Sequence, residues 1–171
     1  MKNIVLVGMP GSGKSTLGIV LSKSIHYGYI DSDSVIVAMR GKRLPELIEE
    51  LGNDGFLDLE AQVNGMICAD RCVISTGGSA IYRPDAIRRM KEHGGVVVYL
   101  KITYDEVVRR LGDLKKRGVV IKAGYTLRDL YDERAPLYES LADYVVELDD
   151  APVEENAEKI RRAIACELSE N

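Results

Sequence analysis

Length and charge narrow the field before any motif is read. The 171 residues are enough for one domain with its own hydrophobic core, and 1–171 is read as a single unit. A formal net charge of −4, no tryptophan and a single phenylalanine exclude the usual marks of a nucleic-acid or membrane-surface partner, and no run approaches the ~20 apolar residues of a membrane span. A cytoplasmic monomer is the expected form.

The β-branched and leucine run at 4–7 reads as a buried strand. It leads into Gly8-Met9-Pro10-Gly11-Ser12-Gly13-Lys14-Ser15-Thr16, which fits G-x-x-x-x-G-K-S/T. Glycines in such a loop let the backbone curl its N–H groups inward around a β-phosphate. Leu17, Val20, Leu21 and Ile25 recur at helical spacing over 14–26, so a helix follows and adds its positive N-terminal end. Gly11, Ser12, Gly13, Lys14, Ser15 and Thr16 are therefore the expected nucleotide-binding residues. Lys14 would reach the β- and γ-phosphates, and the Ser15 hydroxyl would ligate Mg²⁺. The chain is expected to bind a nucleoside triphosphate.

A second strand at 29–30 is followed by Asp31-Ser32-Asp33, two carboxylates at the sheet edge where α/β proteins bind ligands. Asp31 is expected to hold Mg²⁺ through water. Asp33 is expected to accept a hydroxyl proton, and it also suits the N-cap of the next helix. Helical patterns occupy 33–39, 45–51 and 55–69. Cys68 and Cys72 then read as small buried hydrophobes rather than metal ligands. His26 and His93, near helix C-termini, suit capping rather than catalysis.

The strand at 73–75 runs into Ser75-Thr76-Gly77-Gly78-Ser79, whose glycines would leave amides open to an anion or hydroxyl-rich ligand. A helix at 85–92, a strand at 96–100 and a helix at 104–110 continue the alternation. The stretch 112–124 breaks it, with spaced glycines and the cations Lys115, Lys116 and Arg117 but no helical face. Beside a triphosphate site it reads as a mobile lid. Thr126 and Asp129 form a capping-box pattern for a helix at 127–141, which carries Glu133-Arg134-Ala135-Pro136-Leu137-Tyr138. A strand at 144–147 and a helix at 153–168 close the chain. Short apolar strands separated by helices imply a parallel sheet covered on both faces.

Across essentially its whole length the chain resembles the shikimate kinase family, on the phosphate loop, Asp31-Ser32-Asp33, Thr76-Gly77-Gly78 and Glu133 to Tyr138. The resemblance implies an α/β P-loop fold like that of nucleoside-monophosphate kinases. It would have three α/β/α layers and a five-stranded parallel sheet of order 2-3-1-4-5. It also implies ATP-dependent phosphorylation of shikimate to shikimate 3-phosphate, a step toward chorismate and the aromatic amino acids. Lys14, Asp33 and Arg117 would be catalytic, with Ser15 and Asp31 at the metal. Asp33, Gly77, Gly78 and Arg134 would hold the acceptor, Arg134 through its carboxylate. Arg110 and Pro152 would sandwich adenine, and about 32–61 would be the acceptor-binding segment.

The chain departs from the family at three points. Leu57 in Phe56-Leu57-Asp58-Leu59-Glu60 stands where the family has an arginine that clamps the acceptor carboxylate. Ser79 replaces a third glycine, and Gly118 stands where proline is common. Arg40, Lys42 and Arg43 are the nearby cations that could substitute for the missing clamp. The alternatives are another small hydroxy acid or polyol as acceptor, or an ATP-binding regulator with little catalysis.

Overall fold

The computed structural model describes residues 2–111 and 118–169. Five strands make one parallel sheet: β1 (Asn3–Val7), β2 (Gly28–Asp31), β3 (Cys72–Ser75), β4 (Gly95–Lys101) and β5 (Tyr144–Glu147), in the order β2-β3-β1-β4-β5. Register is continuous through the centre, with Ile4 opposite both Val73 and Val96. The edges pair Tyr29 with Val73 and Tyr99 with Val145. β1, β3 and nearly all of β4 are fully buried because helices cover both faces, which is why they read as unbroken apolar runs. The architecture and strand order are those expected.

The helices are α1 (Lys14–Ser24), α2 (Ser32–Arg40), α3 (Leu44–Met66), α4 (Pro84–Glu92), α5 (Tyr104–Leu111), α6 (Leu127–Leu141), α7 (Val153–Ala163) and α8 (Ala165–Ser169). Beyond shifts of a few residues at element ends, three features differ from the sequence reading. The helices expected at 45–51 and 55–69 are halves of α3, which kinks where Gly52 takes φ 69°. The helix expected at 153–168 breaks at Ile164, between α7 and α8. A short 3₁₀ turn at Ala80–Tyr82, which has no period long enough to read, follows the glycine pair.

Two apolar clusters organise the interior. The larger joins the sheet to α1, α4, α6 and α7 through Leu6, Leu21, Val97, Leu130 and Ile160. A smaller one gathers Ile36 of α2, Leu47, Phe56, Leu57, Leu59 and Val63 of α3, and Val120 from the segment before α6. That second cluster ties the 118–124 segment to the α2–α3 unit and so fixes one wall of the site. Cys72 is buried as expected, but Cys68 is exposed because α3 ends before it. His93 caps α4, its ring Nδ1 lying 2.8 Å from the Arg89 carbonyl.

Candidate active site

All parallel strands point their C-terminal ends the same way, so the loops after β1, β2 and β3 meet at one edge. The loop after β1 turns through Gly11 at φ 82° and Gly13 at φ 90°, a left-handed region that only glycine enters without strain. Lys14 folds back into this loop, its Nζ donating to the carbonyls of Gly8 (2.8 Å) and Met9 (3.0 Å). Burial lowers the Lys14 ammonium to about 8, Arg134 adding to the shift and the Asp33 carboxylate opposing it.

The Ser15 hydroxyl donates to Asp31 Oδ2 at 2.6 Å, and the Tyr29 hydroxyl reaches the same oxygen at 3.2 Å. The other oxygen of Asp31 accepts from the Ser34 amide at 2.9 Å. Asp31, not Asp33, is therefore the N-cap of α2. That corrects the sequence reading: α2 begins at Ser32 directly after β2 with no loop between them, so the cap falls on the last strand residue, Asp31. Asp33 lies in the first turn of α2, where burial and then the Asp31 charge raise its carboxyl to about 6 against the pull of Lys14. A carboxyl poised there suits proton acceptance near neutrality.

A cleft of about 640 Å³ opens over these groups. Pro10, Gly11, Gly13, Lys14, Ser15, Thr16 and Arg110 line one end, and Asp33, Thr76, Gly78, Ser79, Val120 and Arg134 line the other. A neighbouring cleft of about 450 Å³ lies between Ser12, Gly13 and Thr16 on one side and Arg110, Leu148 and Ala151 on the other. Arg110 is held there by Glu106 at 2.5 Å, and Pro152 is the N-cap of α7 beside it. Arg117 lies outside the described residues.

The glycine pair works differently from expectation. The Gly77 amide is not open to a ligand; it donates to Ser32 Oγ at 3.2 Å. What Gly77 supplies is close approach, since a methyl there would lie 2.0 Å from Glu60 Oε1 and 2.8 Å from Asp33 Oδ1. Gly78 offers its carbonyl inward, to Tyr138 Oη at 2.5 Å and Arg134 Nη1 at 3.1 Å.

Arg134, expected to meet the acceptor's carboxylate, is only 1% exposed. Its remaining nitrogens donate to Val120 O at 2.6 Å and Tyr82 Oη at 3.2 Å, and the guanidinium lies 5.0 Å from the Tyr82 ring. All three hydrogen-bond partners are neutral. A buried cation surrounded by neutral oxygens is a site for an anion. None of the alternatives Arg40, Lys42 and Arg43 lines the cleft. Lys42 pairs with Glu50 and Arg43 with Glu46, while Arg40 is exposed at the end of α2.

A phosphate loop, a poised carboxyl and a buried guanidinium in one cleft describe a kinase of an anionic hydroxyl compound, and comparison with known proteins agrees. The shikimate kinase family model matches residues 10–165. The chain belongs to the shikimate kinase family. A shikimate kinase of Pseudomonas paraeruginosa is 39% identical over 169 residues, spanning 95% of this chain and 98% of the relative. The structure of Acinetobacter baumannii shikimate kinase in complex with shikimate superposes with a TM-score of 0.88 at 30% identity, over 98% of this chain and 94% of that one. Shikimate kinase from Aquifex aeolicus gives 0.83 at 29%, over 99% of both.

This family member carries site residues that its sequence patterns did not announce. Tyr82 and Val120 reach Arg134 only through the tertiary fold. Glu60 did have a signal: Phe56, Leu59, Glu60 and Val63 share one helical stripe, which puts an acid on a buried face. Leu57, where the family's second clamp would stand, is 7% exposed and packs in the smaller cluster.

Proposed function

We propose that this chain transfers the γ-phosphate of ATP to a ring hydroxyl of shikimate, forming shikimate 3-phosphate on the route to the aromatic amino acids. The observation that carries this reading is Arg134, a buried guanidinium with neutral partners in the cleft that also holds the phosphate loop and Asp33. It gives the carboxylate of a cyclic hydroxy acid a partner while the acid's hydroxyls face Asp33. Asp33 takes the proton of the attacking hydroxyl, and Lys14 leaves its two carbonyls to meet phosphate oxygens. The second cleft, between Arg110 and the turn before α7, suits adenine; Ala151 and Val153 line it, while Pro152 between them does not. The segment 112–124, bearing Arg117, is taken as the lid that adds positive charge over the transferring group.

The metal residues fit Mg²⁺. Ser15 Oγ and Asp31 Oδ2 lie 2.6 Å apart at the mouth of the loop, a hard-oxygen pair. No group of three or more His, Cys, Asp or Glu side chains suited to a metal occurs among the described residues. Phosphate oxygens and water must then complete the shell, as is usual for nucleotide-bound Mg²⁺. Bound there, the ion would share the charge of the triphosphate. No described helix is long and apolar enough to cross a membrane.

A coupled ADP-release assay with shikimate tests the proposal. Shikimate-dependent turnover is expected with Mg²⁺, absent in excess chelator and in a folded Lys14→Ala protein. Chelator-resistant turnover, or normal turnover by Lys14→Ala, would contradict the mechanism. Failure with shikimate and success with another hydroxy acid or polyol would leave only the kinase.

A further inference from the structure

Glu60 is a buried acid beside the cleft that the mechanism leaves unused. It is 1% exposed, and its Oε1 has no hydrogen-bond partner. Its Oε2 accepts a proton from Ser79 Oγ at 2.7 Å. Ser79 in turn lines the main cleft beside Asp33, Gly78 and Arg134. A buried carboxyl with one unpaired oxygen costs stability, so its presence beside the cleft calls for a task there.

The charges around Glu60 set its protonation. Asp33 of α2 faces it across Gly77, Lys14 and Arg134 approach from α1 and α6, and Tyr138 lies on α6 as well. Burial and the Asp33 charge raise the Glu60 carboxyl to about 8, outweighing the Ser79 hydrogen bond and the two cations. The Ser79 hydroxyl donates to Oε2 at 2.7 Å, and Oε2 can accept both in the ionised carboxylate and in a carboxyl protonated on Oε1. With its proton fixed toward Glu60, Ser79 turns its lone pairs to the cleft. It then accepts a hydrogen bond but does not offer one.

We propose that Ser79 is a specificity residue that accepts a hydrogen bond from a second hydroxyl of the acceptor, and that Glu60 is the positioning residue that fixes the direction of the Ser79 hydroxyl. The assignment rests on the kinase reading above. It makes the preferred acceptor a polyhydroxylated anion: one hydroxyl for Asp33, one for Ser79 and an anionic group for Arg134. An acceptor lacking the second hydroxyl leaves Ser79 unpaired in the cleft and is rejected by the loss of one hydrogen bond, about tenfold.

The experiment compares the wild-type protein and Ser79→Ala with three acceptors: shikimate, 4-deoxyshikimate and 5-deoxyshikimate. Ser79→Ala should raise the KM for shikimate about tenfold. For one of the two deoxy compounds, wild type should already show that higher KM and Ser79→Ala should add nothing. For the other deoxy compound the Ser79→Ala effect should persist. Because KM does not depend on the fraction of folded enzyme, a partly unfolded variant still reports.

The Glu60 variants supply the positioning readout. In Glu60→Gln the amide oxygen can still accept from Ser79, so discrimination among the three acceptors should survive. Glu60→Leu frees the hydroxyl to rotate, and discrimination should collapse to that of Ser79→Ala. Equal KM changes for all three acceptors in Ser79→Ala, or no change, would overturn the assignment while leaving the kinase reading intact. Absence of shikimate turnover by wild type would instead overturn the acceptor named under the proposed function, and this assignment with it.

Discussion

At the residue scale, chemistry is divided among side chains whose environments differ sharply. Asp33 and Asp31 are two positions apart, yet Asp31 is occupied as a cap and hydroxyl acceptor while Asp33 faces the cleft. Asp33→Asn keeps the shape and removes the proton acceptor. Its kcat should fall by two orders of magnitude or more, within the typical range for general base catalysis, with the KM for ATP little changed. An effect confined to ATP affinity would reassign the residue. Leu57→Arg tests the family's missing clamp. Glu60 lies one turn on and can act as its counter-ion, so the KM for shikimate should drop about tenfold if the new guanidinium reaches the carboxylate. An unchanged KM in a folded variant would show that the apolar packing of Leu57 against its cluster keeps the arginine out.

Glu60 also gives a pH signature in stability. Its folded-state value of about 8 stands above the ordinary 4.5, so between those limits the folded chain holds a proton that the unfolded chain releases. Stability from this group is thus complete below about 4.5 and declines as pH rises toward 8. Glu60→Gln lacks that decline. Thermal melts from pH 5 to 8 should show the melting temperature of the variant gaining steadily on that of wild type. A constant difference would mean that Glu60 is ionised in the folded protein.

At the element scale, the 118–124 segment is positioned by two anchors. Val120 packs in the smaller core, and its carbonyl accepts from Arg134. Gly118 makes the approach possible with φ 66°, and a methyl there would meet Leu44 Cβ at 2.9 Å and Pro45 Cδ at 3.2 Å. Proline, common at this position in the family, fixes φ near −65° and cannot adopt this turn. Gly118 therefore permits a local turn that proline would not. Gly118→Ala should destabilise the protein by about 1 kcal/mol or more, read as a lowered melting temperature. A melting temperature equal to wild type would show that the turn relaxes freely. The helix α6 illustrates a complementary point. Pro136 sits within it without ending it, and its buried face puts Leu130 into the main core and Arg134 into the cleft at helical spacing.

At the scale of the whole molecule, much was legible in the sequence because it depends on local rules. Phosphate-loop spacing, alternating apolar runs and helix caps gave the five strands, most helices and the Lys14, Ser15 and Asp31 cluster. Periodicity could not tell that 45–51 and 55–69 are one kinked element, because a single glycine at positive φ both interrupts the pattern and preserves the packing. Nor could it locate Arg134. A lone arginine within a helix looks solvated until a loop carbonyl, a tyrosine hydroxyl and a glycine carbonyl from two other segments enclose it.

The sequence by itself determined that this chain has a parallel P-loop sheet, binds a nucleoside triphosphate and carries acids at the sheet edge, since each follows from residues adjacent along the chain. The tertiary structure alone decided which groups share the acceptor end of the cleft. Glu60 and Ser79 are 19 positions apart, and Arg134 lies 56 from Gly78. Their protonation and direction depend on burial and on charges brought together across α2, α3 and α6. Long-range packing creates that environment, and no local pattern encodes it.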